Sequence, residues 1–451
     1  MKIIIVGCGK MGKHLSQILT KEKYDVTVID KNDNVLEKAN EMYDISIIPG
    51  NGLVVDTLYE AGIEDADILI STMKNDEDNI LCSLLGKQMG AKHTIARVRN
   101  PEYTKSIDYI KKELGLSMSI NPELLTAKEI SSTLRFPEDV NSTYLVKGKV
   151  ELVQFKLNEG SPLINTCIKD IKSSLIKKLV IVAVERNDKV YVPNGDFKFE
   201  LNDTLLITST PKEIMNFMKE TKNSYLKAKN AMIVGGSKIS YYLSKYLKET
   251  NINVKIIEQD LEKCKMLSDI LEDTLIINGD GSDKNLLIEE GIENVDSFIA
   301  CTGIDEENVV FSMFANSIGI PKVITKINHL NFGEILENVG IDFIVTPHVI
   351  ASNHILRYIR AKENSKGGSM ESLIRLLDDN IEIMEFKIKD DFKKINKELK
   401  NIKFKNNLII ICINRNGKII FPTGDDIINV NDHIFISTTQ KGIKGLNDIL
   451  D

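Results

Sequence analysis

Short apolar segments rich in β-branched residues alternate along the chain with segments whose apolar residues recur at helical spacing. In the N-terminal part we predict strands at Lys2–Val6, Asp25–Asp30, Ile45–Ile48, Asp67–Ser71 and Thr94–Val98. Amphipathic helices are predicted between them, for example at Met11–Leu19 and Asp76–Met89. Strands that alternate with helices are typical of βαβ units, which place parallel strands in one sheet through right-handed crossovers.

This pattern occurs twice. Matching segments keep a nearly constant shift of 228 or 229 residues: Ile4–Gly7 with Met232–Gly235, 50–52 with 279–281, and Pro193–Asp196 with Pro422–Asp425. A register that persists through nearly half of the chain indicates an internal duplication. We therefore interpret the chain as two copies of one unit, about residues 1–225 and 229–451.

Each copy changes character after its parallel-sheet part. Helices are predicted at Glu123–Leu134 and His348–Ile359, each directly after a proline. In copy one, short strands and a final helix then follow, at Glu151–Leu157, Val180–Glu185, Lys189–Val192, Thr204–Thr208 and Pro211–Lys219. The polar stretch Lys362–Gly368 is predicted to be a linker in copy two.

The predicted fold class is therefore α/β, with two Rossmann-like parallel-sheet domains that are each followed by a small α+β subdomain. The expected boundaries are 1–136 and 140–225 in copy one, and 229–361 and 369–451 in copy two.

Composition excludes several classes of partner. The chain of 451 residues has 58 basic and 65 acidic residues, a net charge of −7, and contains no basic run. This balance argues against a nucleic-acid surface or an anchor on an anionic membrane. The longest apolar runs are strand-length, far below the roughly 18 residues that span a bilayer. Because Met1 leads directly into a strand, no signal peptide is expected either.

The six cysteines are scattered and show no Cys-x-x-Cys spacing. In a chain without a secretory signal, such cysteines are typically reduced and buried. The six histidines show no metal-ligand spacing with cysteines or carboxylates, so no metal site is expected.

The first predicted strand leads into a glycine-rich loop that opens a helix, formed by Gly7, Cys8, Gly9, Lys10, Met11 and Gly12. In a G-x-G-x-x-G loop the first glycine permits a tight turn, the second lets a pyrophosphate approach the backbone, and the third allows close helix–strand packing. The helix N-terminus attracts the phosphates. Asp30, at the end of the second strand, would accept hydrogen bonds from ribose hydroxyls and disfavour a 2′-phosphate.

Copy two departs from this pattern. Its loop is Gly235, Gly236, Ser237, Lys238, Ile239 and Ser240. Serines stand where the second and third glycines stood, although Glu258 still supplies a carboxylate at the end of the second strand. A serine hydroxyl can donate to a phosphate, but the backbone approach would be less close. Nucleotide binding and a purely structural repeat both remain open for this copy.

Further candidate ligand-binding residues follow other strands, because open α/β sheets bind ligands at the carboxyl ends of their strands. In copy one these are Asn51, Gly52, Thr72, Met73, Lys74 and Arg97, and in copy two they are Asp280, Gly281, Cys301–Gly303 and Lys326. Arg97 can neutralise phosphate charge or face solvent. The acidic clusters at 76–78 and 305–307 fit the first turn of a helix better than a cation site.

Taken together, the loop Gly7–Gly12, Asp30, the turns at 50–52 and 279–281, and the Pro-x-Gly-Asp…Asn-Asp pattern of the small subdomains resemble RCK (KTN) domains. Their tandem arrangement is similar to that of the peripheral regulatory subunits of Trk-type potassium uptake systems. The resemblance covers essentially the whole chain.

This resemblance implies a non-enzymatic, cytoplasmic regulator associated with the inner face of the cell membrane. It would form a homo-oligomeric ring of RCK domains beneath a separate Trk-type potassium-conducting subunit. The implied ligands are NAD(H), with ATP or ADP as further candidates, and the implied role is nucleotide-dependent gating. The helices after Pro122 and Pro347 would be crossover helices with dimer-like contacts.

An NAD-dependent oxidoreductase is the alternative from a different class. Hydride transfer needs a positioned acid or base, often a histidine. His433 is the histidine of the small subdomains, and its counterpart in copy one is Thr204, so a structural position in a strand is favoured. Regulation of a different cation transporter is a further alternative.

Overall fold

The computed structural model describes residues 1–111, 113, 115–135, 141–146, 149–171, 179–187, 189–221, 228–328, 341, 343–365, 370–377, 380–440, 443 and 445–451. Within them the chain forms parallel and antiparallel sheets in alternation, and each copy contributes one sheet of either kind.

The first sheet is parallel and contains the six strands β1 Lys2–Val6, β2 Asp25–Asp30, β3 Ser46–Pro49, β4 Ile68–Ser71, β5 His93–Arg97 and β6 Met118–Ile120. Their order is β3-β2-β1-β4-β5-β6. The central strand β1 is flanked by β2 and β4 and is almost completely buried, as expected for a β-branched run covered on both faces. The strand order reverses beside β1, and this switch point is where such sheets bind ligands.

Helices connect these strands: α1 Lys10–Lys21, α2 Asp33–Met42, α3 Val55–Glu60, α4 Asp76–Gln88, α5 Pro101–Ile110 and α6 Pro122–Arg135. Local sequence explains where several of them begin. Asn32 caps α2 by accepting a hydrogen bond from the Val35 amide, and Asn100 caps α5, which has proline in its first turn.

The second part of copy one is an antiparallel sheet followed by a helix. Its elements are β7 Asn141–Leu145, β8 Val150–Lys156, β9 Val180–Arg186, β10 Lys189–Tyr191, β11 Thr204–Ser209 and α7 Pro211–Glu220. The strand order is β10-β9-β11-β8-β7. Phe155, Phe199 and Phe217 are buried together and form the centre of its core.

Copy two repeats the parallel sheet. Its strands are β12 Asn230–Val234, β13 Asn253–Glu258, β14 Thr274–Asn278, β15 Ser297–Ala300, β16 Lys322–Lys326 and β17 Phe343–Val345, in the order β14-β13-β12-β15-β16-β17. Its helices are α8 Lys238–Glu249, α9 Leu261–Ile270, α10 Lys284–Glu289, α11 Asp305–Ser317 and α12 Pro347–Ser365.

The second antiparallel sheet consists of β18 Met370–Leu376, β19 Ile381–Lys387, β20 Leu408–Arg415, β21 Lys418–Ile420 and β22 His433–Thr438. Its order, β18-β19-β22-β20-β21, is that of the first antiparallel sheet read from the other end. The duplication seen in the sequence therefore extends to the topology of both parts, and the predicted fold class is confirmed.

The chain forms two compact units, and each unit contains both copies. Unit 1 consists of Met1–Ile130, Lys229–Lys248 and Ile252–Leu356, and therefore holds both parallel sheets. Unit 2 consists of Ser131–Ala228, Glu249–Asn251 and Arg357–Asp451, and holds both antiparallel sheets. Equivalent parts of the two copies thus associate with each other.

An apolar layer joins the two antiparallel sheets of unit 2. Leu152, Val182 and Leu206 of copy one pack in one buried cluster with residues of copy two, among them Ile383 and Phe435. Burial of such side chains is the main favourable term in association, at about 25 cal/mol for each Å² of apolar surface removed from water. This layer explains why unit 2 is made from both copies.

The predicted linker at 362–368 is wrong in its first half, because α12 continues to Ser365, while 366–369 lie outside the described residues. Lys362 is buried, and its ammonium group donates to the carbonyl oxygen of Met370 at 3.1 Å and lies 3.4 Å from a carboxylate oxygen of Glu371. The polar composition of this segment is typical of a linker, but the aliphatic part of Lys362 is packed and its charge is paired.

The cysteines follow the prediction: all six are free, Cys167 is half-buried, and the other five are buried. Burial raises the pKa of the Cys82 thiol to about 12, so this side chain is an unreactive apolar group. No helix in the described part of the chain is both long and apolar enough to span a membrane.

We predict that Phe435→Ala destabilises the protein by about 3–5 kcal/mol, because truncation of a buried aromatic side chain leaves a cavity. Scanning calorimetry should show a lower unfolding temperature. Leu201→Ala is the control, since Leu201 is exposed. An equal shift in the two variants would contradict the importance of this apolar layer.

Candidate functional site

The first glycine-rich loop makes a sharp turn at the end of β1. Gly7 has a φ of +101°, a conformation that favours glycine, and its amide donates to the carbonyl oxygen of Ile29 at 2.8 Å. A Cβ atom at Gly7 would lie 3.0 Å from the backbone of Thr72 and Met73. The turn therefore requires glycine for both its conformation and its surroundings.

The other two glycines have different surroundings. A Cβ atom at Gly12 would lie 1.9 Å from the carbonyl oxygen of Gly7, so only glycine lets α1 approach β1 this closely. A Cβ atom at Gly9 would meet nothing within 4 Å, which leaves the backbone of Gly9 open to a ligand. No side chain caps the N-terminus of α1 at Gly9, so amide groups of its first turn are available to an anion.

Asp30 lies beside the first glycine-rich loop and also holds the backbone of that loop in place. One carboxylate oxygen accepts a hydrogen bond from the Cys8 amide at 2.6 Å, and the other accepts from the Asn32 amide at 3.0 Å. Each oxygen keeps a lone pair that can accept from a ribose hydroxyl. The sequence predicted the ribose contact but did not predict the bond to the loop amide.

The predicted residues at the ends of β3 and β4 shape the turns beside the first glycine-rich loop. A Cβ atom at Gly52 would lie 2.1 Å from Val6, so the turn packs directly against β1. The Asn51 side chain accepts from the Leu53 amide at 3.2 Å and thereby shapes this turn. The Thr72 hydroxyl donates to the carbonyl oxygen of Gly7 at 2.9 Å, which ties the loop after β4 to the first glycine-rich loop.

The side chain of Asn79 holds the ends of β4 and β5 together, and no role was predicted for it from the sequence. It is fully buried, and its carbonyl oxygen accepts from the Ser71 hydroxyl at 2.8 Å and the Met73 amide at 2.7 Å. Its amide group donates to the carbonyl oxygens of Met73 and Arg97, both at 3.0 Å. Asn308 makes the equivalent bond to Lys326 at 2.9 Å. In the sequence, the segment Asp-Glu-Asp/Glu-Asn occurs at 76–79 and again at 305–308, and this repetition could have indicated a role for the asparagine.

A cleft of about 400 Å³ in unit 1 brings the glycine-rich loops of both copies together. Copy one contributes Gly9, Lys10, Met11, Thr72, Arg97, Arg99, Pro122 and Glu123, and copy two contributes Ser237, Lys238, Ile239, Lys326, Asn328, Pro347 and His348. The other predicted site residues do not line it: Gly7, Cys8, Gly12, Asp30, Asn51, Gly52, Met73 and Lys74 in copy one, and Gly235, Gly236, Glu258, Asp280 and Gly281 in copy two. Sequence reasoning missed Arg99, Glu123, Asn328 and His348.

Positive charge dominates this cleft. Arg97 donates to the carbonyl oxygens of Met73 and Lys74, and its Nε atom is buried without a hydrogen-bond partner among the described residues. Burial, with the nearby charge of Arg99, lowers the pKa of Arg97, but a guanidinium group stays protonated at neutral pH. The Arg99 side chain donates to Glu123 at 2.8 Å.

Lys10, Lys238 and Lys326 add three further cations to the lining, against the single carboxylate of Glu123 among the lining residues. The ammonium group of Lys326 donates to the carbonyl oxygen of Thr302 at 2.7 Å. With the N-termini of α1 and α8 on its walls, the cleft suits an anionic group such as a phosphate.

The loop of copy two forms hydrogen bonds within itself. Gly235 has a φ of +105°, and the Gly236 amide donates to Glu258 at 2.6 Å, as Cys8 does to Asp30. The Ser240 hydroxyl, however, donates to the carbonyl oxygen of Gly235 at 2.5 Å. The Ser237 hydroxyl lies 3.0 Å from the Ser240 hydroxyl and 3.3 Å from the Cys301 thiol.

The two loops therefore differ in their path and in their free groups. Ser240 carries a Cβ atom where Gly12 has no room for one, so the backbone of the second loop must be displaced. Glu258 makes the same pair of backbone bonds as Asp30, with its second oxygen accepting from the Asp260 amide at 2.9 Å, but it is buried whereas Asp30 is half-buried. A nucleotide would therefore find a less accessible carboxylate in copy two, beside serine hydroxyls that already bond within the loop.

The acidic clusters lie where helices begin, as the sequence predicted. Asp76–Asp78 are in the first turn of α4, and Asp305–Glu307 are in the first turn of α11. Asp76 accepts from the amides of Arg99 and Asn100, at 2.9 and 2.7 Å. The carboxylate of Asp76 thus holds the loop that follows β5, in addition to complementing the helix dipole.

Histidines occur at two places that matter for the oxidoreductase alternative. His433 begins β22 in unit 2 and lies 2.9 Å from Glu385, which agrees with a structural strand residue. His348 lines the cleft and packs edge-on against His14, with the ring centroids 5.6 Å apart. Burial, together with the charge of Lys21, lowers the pKa of His14.

Two domain families match the chain, each of them twice. The TrkA-N domain matches residues 3–122 and 231–347, and the TrkA-C domain matches residues 152–222 and 383–451. The chain belongs to the TrkA family. The tandem arrangement inferred from the repeat is thereby confirmed.

Relatives in this family align with the chain over nearly its whole length. The Trk system potassium uptake protein TrkA homolog 1 of Methanosarcina mazei is 30% identical over 444 residues, which cover 97% of each chain. The Trk system potassium uptake protein TrkA of Vibrio alginolyticus is 28% identical over 445 residues, which cover 98% of this chain and 96% of its own. These relatives are potassium uptake proteins by name.

Solved structures share the fold of this TrkA-family chain. The GsuK channel bound to NAD superposes with a TM-score of 0.62 at 15% identity, over 98% of this chain and 77% of its own. GsuK bound to ADP gives a TM-score of 0.52 at 13% identity, over 80% and 69% of the two chains. At these identities the similarity shows a common fold.

We predict that Asn79→Ala destabilises unit 1, because it leaves buried backbone groups of Met73 and Arg97 without partners, at about 1–3 kcal/mol for each such group. Thermal unfolding measures the effect. Asn75→Ala is the control, since the Asn75 side chain makes an exposed hydrogen bond to the nearby carboxylate of Asp78. Equal stability of the two variants would show that Asn79 does not organise the site.

Proposed function

We propose that this chain is a nucleotide-sensing regulatory subunit of a Trk-type potassium uptake system. It acts on a separate membrane subunit that contains the pore, from the cytoplasmic side and as a ring-forming homo-oligomer. The observation that carries the proposal is the cation-rich cleft between the two glycine-rich loops, in a chain that aligns from end to end with Trk system proteins.

The first loop is the proposed binding site for NAD(H), with ATP or ADP as further candidates. The open backbone of Gly9 and the uncapped N-terminus of α1 would hold the phosphates. Asp30 would accept from the ribose hydroxyls, and its charge would disfavour a 2′-phosphate. Arg97 would neutralise phosphate charge from the end of β5.

The cleft supplies a physical route from binding to regulation. A ligand shifts a conformational equilibrium only through a difference in its affinity for the two states. Lys10 and Arg97 belong to one copy, whereas Lys238 and Lys326 belong to the other. Phosphates between them would be bound best at one separation of the two copies. A coupling free energy of about 1–3 kcal/mol per site is typical.

Hydride transfer is not part of the proposal. Glu123, the carboxylate in the cleft lining, is engaged by Arg99, and the remaining charged side chains of the lining are cations. This composition suits phosphate binding rather than proton transfer to a substrate. His348 is the lining group with acid–base chemistry near neutral pH, and it packs against His14.

We predict that Asp30→Ala weakens NADH binding by roughly 10- to 150-fold, since hydrogen bonds to a charged group contribute about 1.5–3 kcal/mol. Gly9→Asp should weaken it as well, because it places a negative charge beside the phosphates. Isothermal titration calorimetry measures the affinity, with circular dichroism as the check on folding. Asp25→Ala, at the exposed opposite end of the same strand as Asp30, is the control. Unchanged affinity in Asp30→Ala and Gly9→Asp would refute this assignment.

We also predict that one NADH molecule binds per chain, because in copy two the serine hydroxyls bond within the loop and the carboxylate of Glu258 is buried. The stoichiometry of the same titration tests this. Two equivalent molecules per chain, or binding that survives Gly9→Asp at full stoichiometry, would assign a nucleotide to copy two instead.

A further inference from the structure

Equivalent residues of the two copies line the cleft of unit 1, and the duplication allows their charges to be compared in pairs. Lys10 begins α1 and Lys238 begins α8, so this pair is cationic in both copies. Arg97 ends β5 and Lys326 ends β16, so this pair is cationic as well. The cations nearest to the two glycine-rich loops are therefore kept by the duplication.

Two further pairs do not keep their charge. Arg99 is replaced in copy two by Asn328, and Glu123 is replaced by His348. In copy one the two side chains form an ion pair, in which Arg99 Nε donates to Glu123 Oε1 at 2.8 Å. Copy two has an amide and an imidazole instead. The same fold thus forms without an ion pair at this place, so the pair is not explained by the architecture alone.

The two members of the ion pair differ in their freedom. The Arg99 side chain is 36% exposed, and its backbone is held independently, because the Arg99 amide donates to Asp76 at 2.9 Å. The Glu123 side chain is 16% exposed, and its second oxygen, Oε2, is buried with no hydrogen-bond partner in the part of the chain that the structure describes. The guanidinium group can therefore turn towards a ligand, whereas the carboxylate is held in place.

The negative charge of Glu123 lies in the first turn of α6 and acts on both copies. Burial and the charge of Arg99 lower the pKa of Arg97, and the charge of Glu123 opposes this shift. In copy two, burial raises the pKa of Cys301, and Glu123 contributes in the same direction. A carboxylate at a helix N-terminus among cations occupies a position that suits an anionic ligand.

We propose that Glu123 is an internal anion that competes with the phosphates of the nucleotide for Arg99, and that it selects against ligands with many negative charges. This inference rests on the proposed nucleotide site and identifies a residue that determines its specificity. Arg99 reaches a phosphate only by leaving a buried carboxylate whose other oxygen has no partner, which is unfavourable. Glu123 also repels the phosphates directly, and this repulsion increases from NADH to ADP to ATP with the charge of the ligand.

The test compares the affinities of the full-length wild type and of Glu123→Gln for adenosine, NADH, ADP and ATP. Isothermal titration calorimetry without divalent cations measures them. We expect Glu123→Gln to bind ATP about 10-fold more tightly than the wild type, because a like charge beside the ligand is removed and Arg99 is released. The gain should be smaller for ADP, smallest for NADH and absent for adenosine. A merely structural role of Glu123 would change the affinity for all four ligands alike.

Two further variants serve as controls. Glu290 also forms an ion pair, with Lys255 at 2.7 Å, and its side chain is 26% exposed, but it does not line the cleft. Glu290→Gln should therefore bind all four ligands as the wild type does. Arg99→Asn/Glu123→His carries the residues that copy two has at these positions, so it is expected to fold. It should bind ATP less tightly than Glu123→Gln, because it lacks the released guanidinium group.

The inference is overturned if Glu123→Gln binds ATP no more tightly than the wild type, or if adenosine gains as much affinity as ATP. It is also overturned if Glu290→Gln shows the same gain, or if Arg99→Asn/Glu123→His binds ATP as tightly as Glu123→Gln. A wild type that binds none of the phosphate-bearing ligands would refute the proposed nucleotide site and this inference with it. Normal binding by the wild type with no gain in Glu123→Gln would refute this inference alone.

Discussion

Close contact between Gly7 and Gly12 determines the geometry on which the candidate site depends. The absence of a side chain at Gly12 allows α1 to approach the carbonyl oxygen of Gly7 and to begin directly at the end of β1. The uncapped helix N-terminus therefore lies at the switch point of the sheet, where a phosphate can reach it. Arg97 and Asp30 then face a loop whose path is already fixed by backbone contact.

The duplication places a second, altered glycine-rich loop opposite the first. Copy two has the same strand order but a serine in place of Gly12, and the hydroxyl of that serine bonds to the loop backbone. Because equivalent parts associate in unit 1, the altered loop becomes one wall of a cleft whose other wall is the first loop. In the proposed function, the first loop would bind the ligand and the second loop would be the facing surface that responds to it.

Much of the fold was predictable because its signals are local. The β-branched strands, the first loop and the carboxylate of Asp30 are recognisable from short segments, and the strand pattern occurs twice. The predicted linker failed at Lys362 because composition does not show that a lysine is buried and paired within a helix. Local signals therefore identify elements better than they identify which polar residues are packed.

The shared cleft was not predictable for a different reason. Arg99, Glu123 and His348 follow strands or begin helices in separate copies, and nothing in their neighbouring residues indicates that they meet. They come together because the two parallel sheets belong to one unit, which is a property of long-range packing. Asn79 is an intermediate case, since its repetition at Asn308 was visible but its four hydrogen bonds were not.

The central claim is that a nucleotide in this cleft regulates potassium transport by another chain. The most direct measurement is potassium flux into vesicles that contain a Trk membrane subunit, with this protein added and NADH or ATP varied. The account predicts a flux that depends on both the protein and the nucleotide, and that loses its nucleotide dependence in Asp30→Ala. A flux that responds to the protein equally with and without nucleotide, or equally in Asp30→Ala, would contradict it.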